Sequence, residues 1–389
     1  MRVAFRLIPL VALVLVPDWA AAQGCLTNRF GRKSESHHSV RSDDDTRRLT
    51  VRWRSGDCSV EIDARGDFGV NADLTGFVGI EDGGWIDIEE RDGNTTRRMR
   101  VTSRGRELDY RWWLDGDAGR FDVNRDRWLA EILLAFERRT AMFVKSRVPE
   151  LLRRGGPNAV LDETDKMDSD YARRLYFSTL MAQVALDDPS TERMLRQGEN
   201  FSSDYERSEL IRAVARRPMS DRVTRATIAV ANRMSSDYEK KRALTAGLAS
   251  VTSAEARTSL FQTASTMSSS YELAEVLIAA QSRFPVDSLS SDAYFRAVTR
   301  ISSDYERRRT LSSLLKQKPT TPKVLAGVLR TSTFIQSDHE LANLLVEFAR
   351  AIPVRGELRE LYLAATRSIS SDFEYRRTLQ ALLEQDRSA

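Results

Sequence analysis

The chain has 389 residues, of which 41% are apolar and 30% are charged, and its 60 basic and 56 acidic side chains leave a net charge of +4. The apolar fraction is high enough for a folded core and too low for repeated membrane crossing, so a fully disordered chain and a polytopic membrane protein are excluded. The length fits two or three domains or one elongated repeat array.

Residues 1–22 have the features of a secretory signal peptide. Arg2 and Arg6 precede the ten-residue apolar run LIPLVALVLV, and alanines at positions 20–22 offer small side chains for cleavage. Such a run is about half the length of a membrane-spanning helix, so a retained anchor is not expected. We therefore expect an exported protein, periplasmic or extracellular, with no transmembrane segment in the mature chain.

The chain has two cysteines, Cys25 and Cys58. Export places them in an oxidising compartment, so the sequence predicts a disulfide between them. By restricting the unfolded chain, such a bridge contributes about 3–4 kcal/mol. The alternative is that Cys25 carries a lipid anchor, although residues 22–24 fit the usual lipid-attachment sequence poorly.

Residues 23–47 are polar and predict a flexible linker, and residues 48–121 predict a small antiparallel β-meander domain. Apolar and polar residues alternate in the candidate strands, and turns rich in Gly, Asp and Asn separate them. This pattern is typical of a sheet with one buried and one solvated face. The predicted strands are residues 49–53, 58–63, 85–89, 96–102 and 108–114.

Residues 122–167 predict a helical connector with a degenerate repeat. The apolar pattern of residues 125–153 is helical, and Gly155 and Gly156 are expected to end that helix. Pro157 can then begin the next helix, because proline is tolerated in a first helical turn.

A five-residue phrase recurs seven times between residue 168 and the end of the chain, at intervals of 33 or 34 residues. This regularity predicts a seven-unit repeat array over residues 168–389. The phrase reads DSDYA at 168–172, SSDYE at 202–206, 235–239 and 302–306, SSSYE at 268–272, QSDHE at 336–340 and SSDFE at 370–374.

Each phrase predicts the start of a helix, because Ser-x-x-Glu is a capping box in which the Ser hydroxyl and the Glu carboxylate each accept from the other residue's amide. The aspartate between them suits the positive end of the helix dipole. Ala172 replaces the glutamate in the first unit. The predicted pairs are Ser203 and Glu206, Ser236 and Glu239, Ser269 and Glu272, Ser303 and Glu306, Ser337 and Glu340, and Ser371 and Glu374.

An apolar residue recurs eight positions after each capping serine, which gives every first helix a core-facing position. Second helices are expected to start near residues 188, 220, 253, 291 and 321, and two helices of about 12–14 residues fill the period. The last unit has only its first helix, which reads as a terminal cap. The predicted fold class is α+β, with the β-meander followed by a HEAT-like α-solenoid of tetratricopeptide length but without the tetratricopeptide signature. The apolar residues are Phe177, Ile211, Leu244, Leu277, Leu311, Leu345 and Leu379.

The β-meander leading into GGPNAVLDETDKMDSDYARRLYF and the SSDYE-type repeats resembles uncharacterised bacterial exported proteins. It is also similar to the extracytoplasmic extensions of some BlaR/MecR-type membrane zinc peptidases. The resemblance covers roughly residues 50–389, while the peptidase part with its His-Glu-x-x-His motif has no counterpart in this sequence. The resemblance therefore implies a binding or sensing module and no proteolysis.

The sequence assigns no catalytic, metal or cofactor residue. Its three histidines, His37, His38 and His339, have no zinc-site spacing, and no Gly-x-Ser-x-Gly nucleophile motif occurs. Nucleic acid is not an expected partner, because export separates the chain from it and acids interleave with bases. We expect a non-enzymatic scaffold that binds an unidentified protein of the envelope, with a cell-wall or extracellular hydrolase of unassigned carboxylates as the alternative.

The aromatic residue of the phrase forms a column through the array. We expect this column to pack between repeats, and a binding groove lined by the rings is the alternative. Its tyrosines are Tyr171, Tyr205, Tyr238, Tyr271 and Tyr305, followed by His339 and Phe373.

Overall fold

The computed structural model describes residues 37–43, 48–119, 122–317 and 321–388. The chain divides into two compact units, Met1–Glu150 and Leu151–Ala389. The first contains an antiparallel sheet and the second an array of helices, so the predicted α+β fold class is confirmed.

Most strands of the first compact unit join one antiparallel sheet. The strands in the described residues are β1 (His37–Asp43), β2 (Arg48–Ser55), β3 (Cys58–Arg65), β4 (Phe68–Val70), β5 (Phe77–Ile80), β6 (Trp85–Asp92), β7 (Thr95–Arg104), β8 (Glu107–Leu114) and β9 (Asp117–Ala118). The sheet has the order β1-β2-β3-β6-β7-β8-β9, and β4 pairs with β5 separately. Two-residue turns join the central hairpins, with Gly56 and Gly93 both at a φ of 58°, as tight hairpins require.

The five predicted strands correspond to β2, β3, β6, β7 and β8. They could be predicted because apolar and polar residues alternate along them. Burial alternates along the whole of β3, for example. The predicted linker is wrong for residues 37–43, because β1 pairs with β2 over its full length. A polar strand at the edge of a sheet buries little apolar surface, so its composition resembles that of a linker.

The first helix belongs to the β unit. Helix α1 (Val123–Thr140) is capped by Asp122, and its Trp128 ring lies 4.7 Å from that of Trp112 in β8. Trp128 and Phe136 join the core formed by the buried face of the sheet. The boundary between compact units therefore falls after Glu150, whereas the sequence predicted a domain boundary at residue 121.

Helix α2 (Val144–Thr164) is interrupted where the sequence predicts a helix end. Gly155 and Gly156 have non-helical backbone angles, and Gly156 has a φ of 64°. A residue with a side chain is strained in that left-handed conformation, which explains the glycine.

The second compact unit is the repeat array, in which the first helix of each repeat alternates with the second helix. The first helices are α3 (Asp170–Gln183), α5 (Asp204–Val214), α7 (Asp237–Gly247), α9 (Ser270–Gln281), α11 (Asp304–Leu315), α13 (Asp338–Ala351) and α15 (Asp372–Ser388). The second helices are α4 (Asp188–Glu199), α6 (Asp221–Asn232), α8 (Ala254–Ala264), α10 (Ser291–Thr299), α12 (Pro322–Ser332) and α14 (Glu357–Thr366). Each first helix packs against the next first helix and each second helix against the next second helix, which makes two layers.

The recurring apolar position lies in the core of the array, as predicted. Six of its residues, from Phe177 to Leu345, are buried. Leu379, on the last helix that the structure describes, is partly exposed. Among the described residues, no helix combines the length and apolar character that a membrane crossing requires.

Candidate functional site

Each capping serine accepts a hydrogen bond from the amide three residues later. Ser303 Oγ, for example, accepts from the Glu306 amide at 3.3 Å. This half of the predicted capping box is therefore present in the structure. The same bond joins Ser203 to Glu206, Ser236 to Glu239, Ser269 to Glu272, Ser337 to Glu340 and Ser371 to Glu374.

The other half of the capping box is replaced by a contact between repeats. Asp204 Oδ2 accepts from the amides of Ser235 and Ser236, both at 2.8 Å, and from the Ser235 hydroxyl at 2.9 Å. We call this contact the aspartate clamp: one aspartate that opens a first helix holds the two amides that precede the next first helix. Other clamps link Asp170 to residues 202–203, Asp237 to 268–269, Asp304 to 336–337 and Asp338 to 370–371.

Charge-assisted bonds of this kind are stronger than neutral ones. Burial alone would raise the pKa of the Asp204 carboxyl, but the bonds from Ser236 and Ser235 outweigh it and keep this pKa below its ordinary value. The clamp explains why the aspartate recurs, and the reciprocal role predicted for the glutamates is wrong because another residue already binds the serine amides.

A buried base completes the clamp in several units. Arg307 is 6% exposed, lies 3.2 Å from Asp304 and donates to the Ile301 carbonyl in the turn after the preceding second helix. Burial lowers the pKa of Arg307. Arg207 makes the equivalent bonds to Asp204 and the Phe201 carbonyl. The base thus provides a donor for a backbone carbonyl of the turn that joins two repeats.

The fourth repeat has a weaker clamp. Ser270 occupies the aspartate position, and its neutral hydroxyl accepts from the amides of Ser302 and Ser303 at 3.0 and 3.2 Å. Leu273 occupies the position of the buried base. The junction between the fourth and fifth units therefore lacks both charges found in the clamp of Asp304.

Replacing Ser270 by aspartate is expected to raise the free energy of unfolding of the array by about 1 kcal/mol, because a carboxylate binds two amides more strongly than a hydroxyl does. Urea denaturation followed by circular dichroism measures the change. Ser270→Asn is the matched neutral control and should gain less. An aspartate variant that unfolds at the same urea concentration as the unmodified protein, or earlier, would refute the charge argument.

The five tyrosines of the column are exposed, so the expectation that they pack between repeats is wrong. Tyr171 is 49% exposed and Tyr238 is 55% exposed, and the other three lie between these values. Each tyrosine lies two residues after its capping serine. Its ring therefore points to the side of the helix opposite the residues seven and eight positions after that serine, which are buried. We call these five residues the tyrosine row: Tyr171, Tyr205, Tyr238, Tyr271 and Tyr305.

Cations lie over the rings of the tyrosine row. Lys241 Nζ is 5.2 Å from the ring centroid of Tyr238 and 5.8 Å from that of Tyr271. A shared cation at these distances places the two rings at most about 11 Å apart. Arg242 lies in the same way between Tyr205 and Tyr238. The rings and cations therefore form one continuous surface across successive first helices.

Carboxylates of neighbouring repeats hold these cations in place. Lys241 Nζ lies 2.6 Å from Glu272 Oε2 of the next unit, and Arg242 lies 2.8 Å from Glu209 of the preceding unit. Arg174 pairs with Glu206 and Arg308 with Glu340 in the same arrangement as Lys241 with Glu272. Glu206, Glu272 and Glu340 thus act between repeats, whereas Glu239 and Glu306 pair with arginines of their own helices.

The column continues beyond the tyrosines. His339 Nδ1 lies 3.0 Å from Glu374 Oε1, and Phe373 is 71% exposed. An open cleft of about 570 Å³ lies between α13 and α15 and includes Glu347, Arg350 and Glu384 in its lining. The first-helix layer therefore presents aromatic and charged side chains as far as its last helix.

The remaining sequence predictions concern ligand chemistry and the disulfide. Within the part of the chain that the structure describes, no three His, Cys, Asp or Glu side chains are placed to hold a metal ion. Cys58 is buried, but Cys25 lies outside the described residues, so the disulfide and the lipid-anchor alternative remain predictions. The side chains of His37 and His38 also lie outside the description.

Compared with known protein families and with characterised proteins, the chain matches no family model and no curated sequence.

Proposed function

We propose that this protein is an exported repeat scaffold that binds another envelope or extracellular protein through the tyrosine row. The observation that carries the proposal is the presence of one half-exposed aromatic ring at the same position of five successive repeats. Tyrosine and arginine are enriched in protein interfaces, and tyrosine offers a large contact area for the ordering of only two torsion angles. The envelope location rests on the predicted signal peptide.

The cations give the rings a fixed arrangement before a partner binds. Lys241 and Arg242 are held by carboxylates of adjacent repeats, and each lies over two rings. A preorganised surface loses less entropy on binding. A surface that extends over adjacent repeats is also the usual binding mode of solenoid proteins. The resemblance to sensor extensions supports the same class of function and adds envelope sensing as its specific role.

Site-specific photocrosslinking in the native envelope tests this proposal. A photoreactive phenylalanine at Tyr205 or Tyr238 should give one reproducible protein adduct, because these rings would lie at the centre of the interface. The photoreactive phenylalanine in place of Arg222 or Arg225 of α6 is the control, since both arginine side chains are solvent-accessible and lie in the second-helix layer. Equal adducts from both layers, or none from the tyrosine row, would contradict the proposal.

Affinity for the captured partner gives the quantitative test. Replacing Tyr205, Tyr238 and Tyr271 by serine should weaken binding at least tenfold, as expected for central interface tyrosines. The unfolding transition should change little, because the rings are half exposed. Undiminished binding by this variant would show that the partner uses another surface.

A further inference from the structure

A second feature lies in the second-helix layer, away from the tyrosine row. Five arginines of this layer form ion pairs with carboxylates of an adjacent repeat. The pairs are Arg193 with Asp162 and Asp165, Arg222 with Glu192, Arg257 with Asp287, Arg330 with Glu357 and Arg359 with Asp386. Arg233 and Arg367, at the carboxyl ends of α6 and α14, and Arg296 and Arg300 of α10 form no ion pair with a described residue.

Two of these unpaired arginines face one cleft. Arg296 and Arg300 lie four residues apart at the end of α10, where positions i and i+4 share a helix face. Both side chains are exposed, and neither forms an ion pair or side-chain hydrogen bond with any residue that the structure describes. They line an open cleft of about 520 Å³ between α8 and α10.

The opposite wall of the cleft is uncharged and hydrophilic. It is formed by Gln262, Ser265 and Thr266 of the preceding unit, and no carboxylate lines the cleft. The hydroxyls of Ser265 and Thr266 donate to carbonyls of their own helix. The Gln262 amide group is thus the neutral donor that this wall can offer to a ligand, in addition to the two guanidinium groups.

A third cation lies behind this wall. Lys240 is 3% exposed, and its ammonium group donates to Thr266 Oγ1 at 2.8 Å. Burial lowers the pKa of Lys240, and the charges of Asp237 and Asp204 oppose that effect. No described carboxylate lies within ion-pair distance of Lys240. The lining of the cleft therefore contains two cationic side chains and no acidic group.

We propose that this cleft binds an oxyanion, namely the phosphate or carboxylate group of a small anionic ligand. Guanidinium groups bind both kinds of oxyanion through paired hydrogen bonds. Two like charges four residues apart also repel each other, and an anion between Arg296 and Arg300 removes that repulsion. The cleft volume lies within the range of small-molecule sites.

The helix dipole gives a simpler reason for part of the arrangement. Basic side chains are stabilised at the carboxyl end of a helix, where Arg296 and Arg300 lie. The dipole does not explain why these two arginines line one cleft whose opposite wall has no carboxylate. The anion site explains both observations and is independent of the tyrosine row.

Calorimetric titration with inorganic phosphate and with citrate tests the site and separates the two ligand classes. The unmodified protein should bind at least one probe with a dissociation constant below about 1 mM, and the tighter probe identifies the class. Arg296→Gln with Arg300→Gln should weaken that binding at least tenfold. Because both side chains are exposed, this variant should fold normally, and its circular dichroism spectrum verifies this.

The control variant removes two positive charges elsewhere in the array. Arg216 and Arg283 are exposed and form no ion pair with a described residue, so Arg216→Gln with Arg283→Gln should change the affinity less than twofold. Equal loss in both variants would indicate nonspecific attraction to net positive charge and would overturn the proposal. Binding weaker than about 1 mM for both probes would also overturn it.

Discussion

Replacing Asp304 by alanine is expected to lower the free energy of unfolding of the repeat array by about 3 kcal/mol. The change leaves the amides of Gln336 and Ser337 without their acceptor. It also removes the carboxylate beside Arg307, which is 6% exposed. An uncompensated buried charge and two lost charge-assisted bonds make this one of the costliest single substitutions in the array.

The location of the damage is as informative as its size. In a repeat array each unit contacts mainly its neighbours, so a broken junction weakens the units on either side of it. Hydrogen exchange should therefore accelerate first around residues 301–340. Far-ultraviolet circular dichroism in urea measures the loss of stability, since the second unit is almost entirely helical between its turns.

Two substitutions calibrate this result. Asp304→Ser copies the fourth unit and should cost less than alanine, because a hydroxyl can still accept from both amides, as Ser270 does. Asp292→Ala breaks an exposed pair with Lys323 and should cost less than about 0.5 kcal/mol. If Asp304→Ala were no more damaging than Asp292→Ala, the clamp would contribute nothing to stability.

The parts of the fold that could be predicted are those encoded by local sequence. A capping serine and an apolar residue eight positions later define both the start and the buried face of each first helix. The exposure of Tyr238 followed from the same count, because a ring two residues after the cap lies opposite that face. The packing interpretation was wrong because it started from the usual burial of aromatic residues instead of from the geometry of the helix.

The partners between repeats could not be predicted in the same way. Asp204 binds amides that are 31 and 32 residues later in the sequence, and a single repeat contains no signal that distinguishes this contact from a local cap. The same limit applies to β1 and α1, whose positions in the first unit depend on packing against distant residues. The proposed oxyanion cleft combines Thr266 and Arg296 from two successive repeats and was likewise invisible in one repeat.

Replacing Glu90 by alanine is expected to destabilise the β unit by about 3–5 kcal/mol, as for other buried ion pairs that lose one partner. Glu90 is fully buried on β6. Its Oε2 accepts from Arg97 Nη1 at 3.0 Å and from Trp128 Nε1 at 2.8 Å. One carboxylate thus joins two strands of the sheet to α1, and its loss leaves the charge of Arg97 and the indole N–H without this acceptor.

The neighbouring glutamate is the matched control, because successive residues of a strand point to opposite faces. Glu89 lies on the solvated face and pairs with the exposed Arg91, so Glu89→Ala should cost less than about 0.5 kcal/mol. Tryptophan fluorescence in urea isolates the effect, since all six tryptophans precede residue 151. Equal midpoints for the two variants would show that Glu90 does not hold α1 on the sheet. If the urea midpoint of the tryptophan signal falls only in Glu90→Ala, and the helical signal of the array does not change, the two compact units unfold independently.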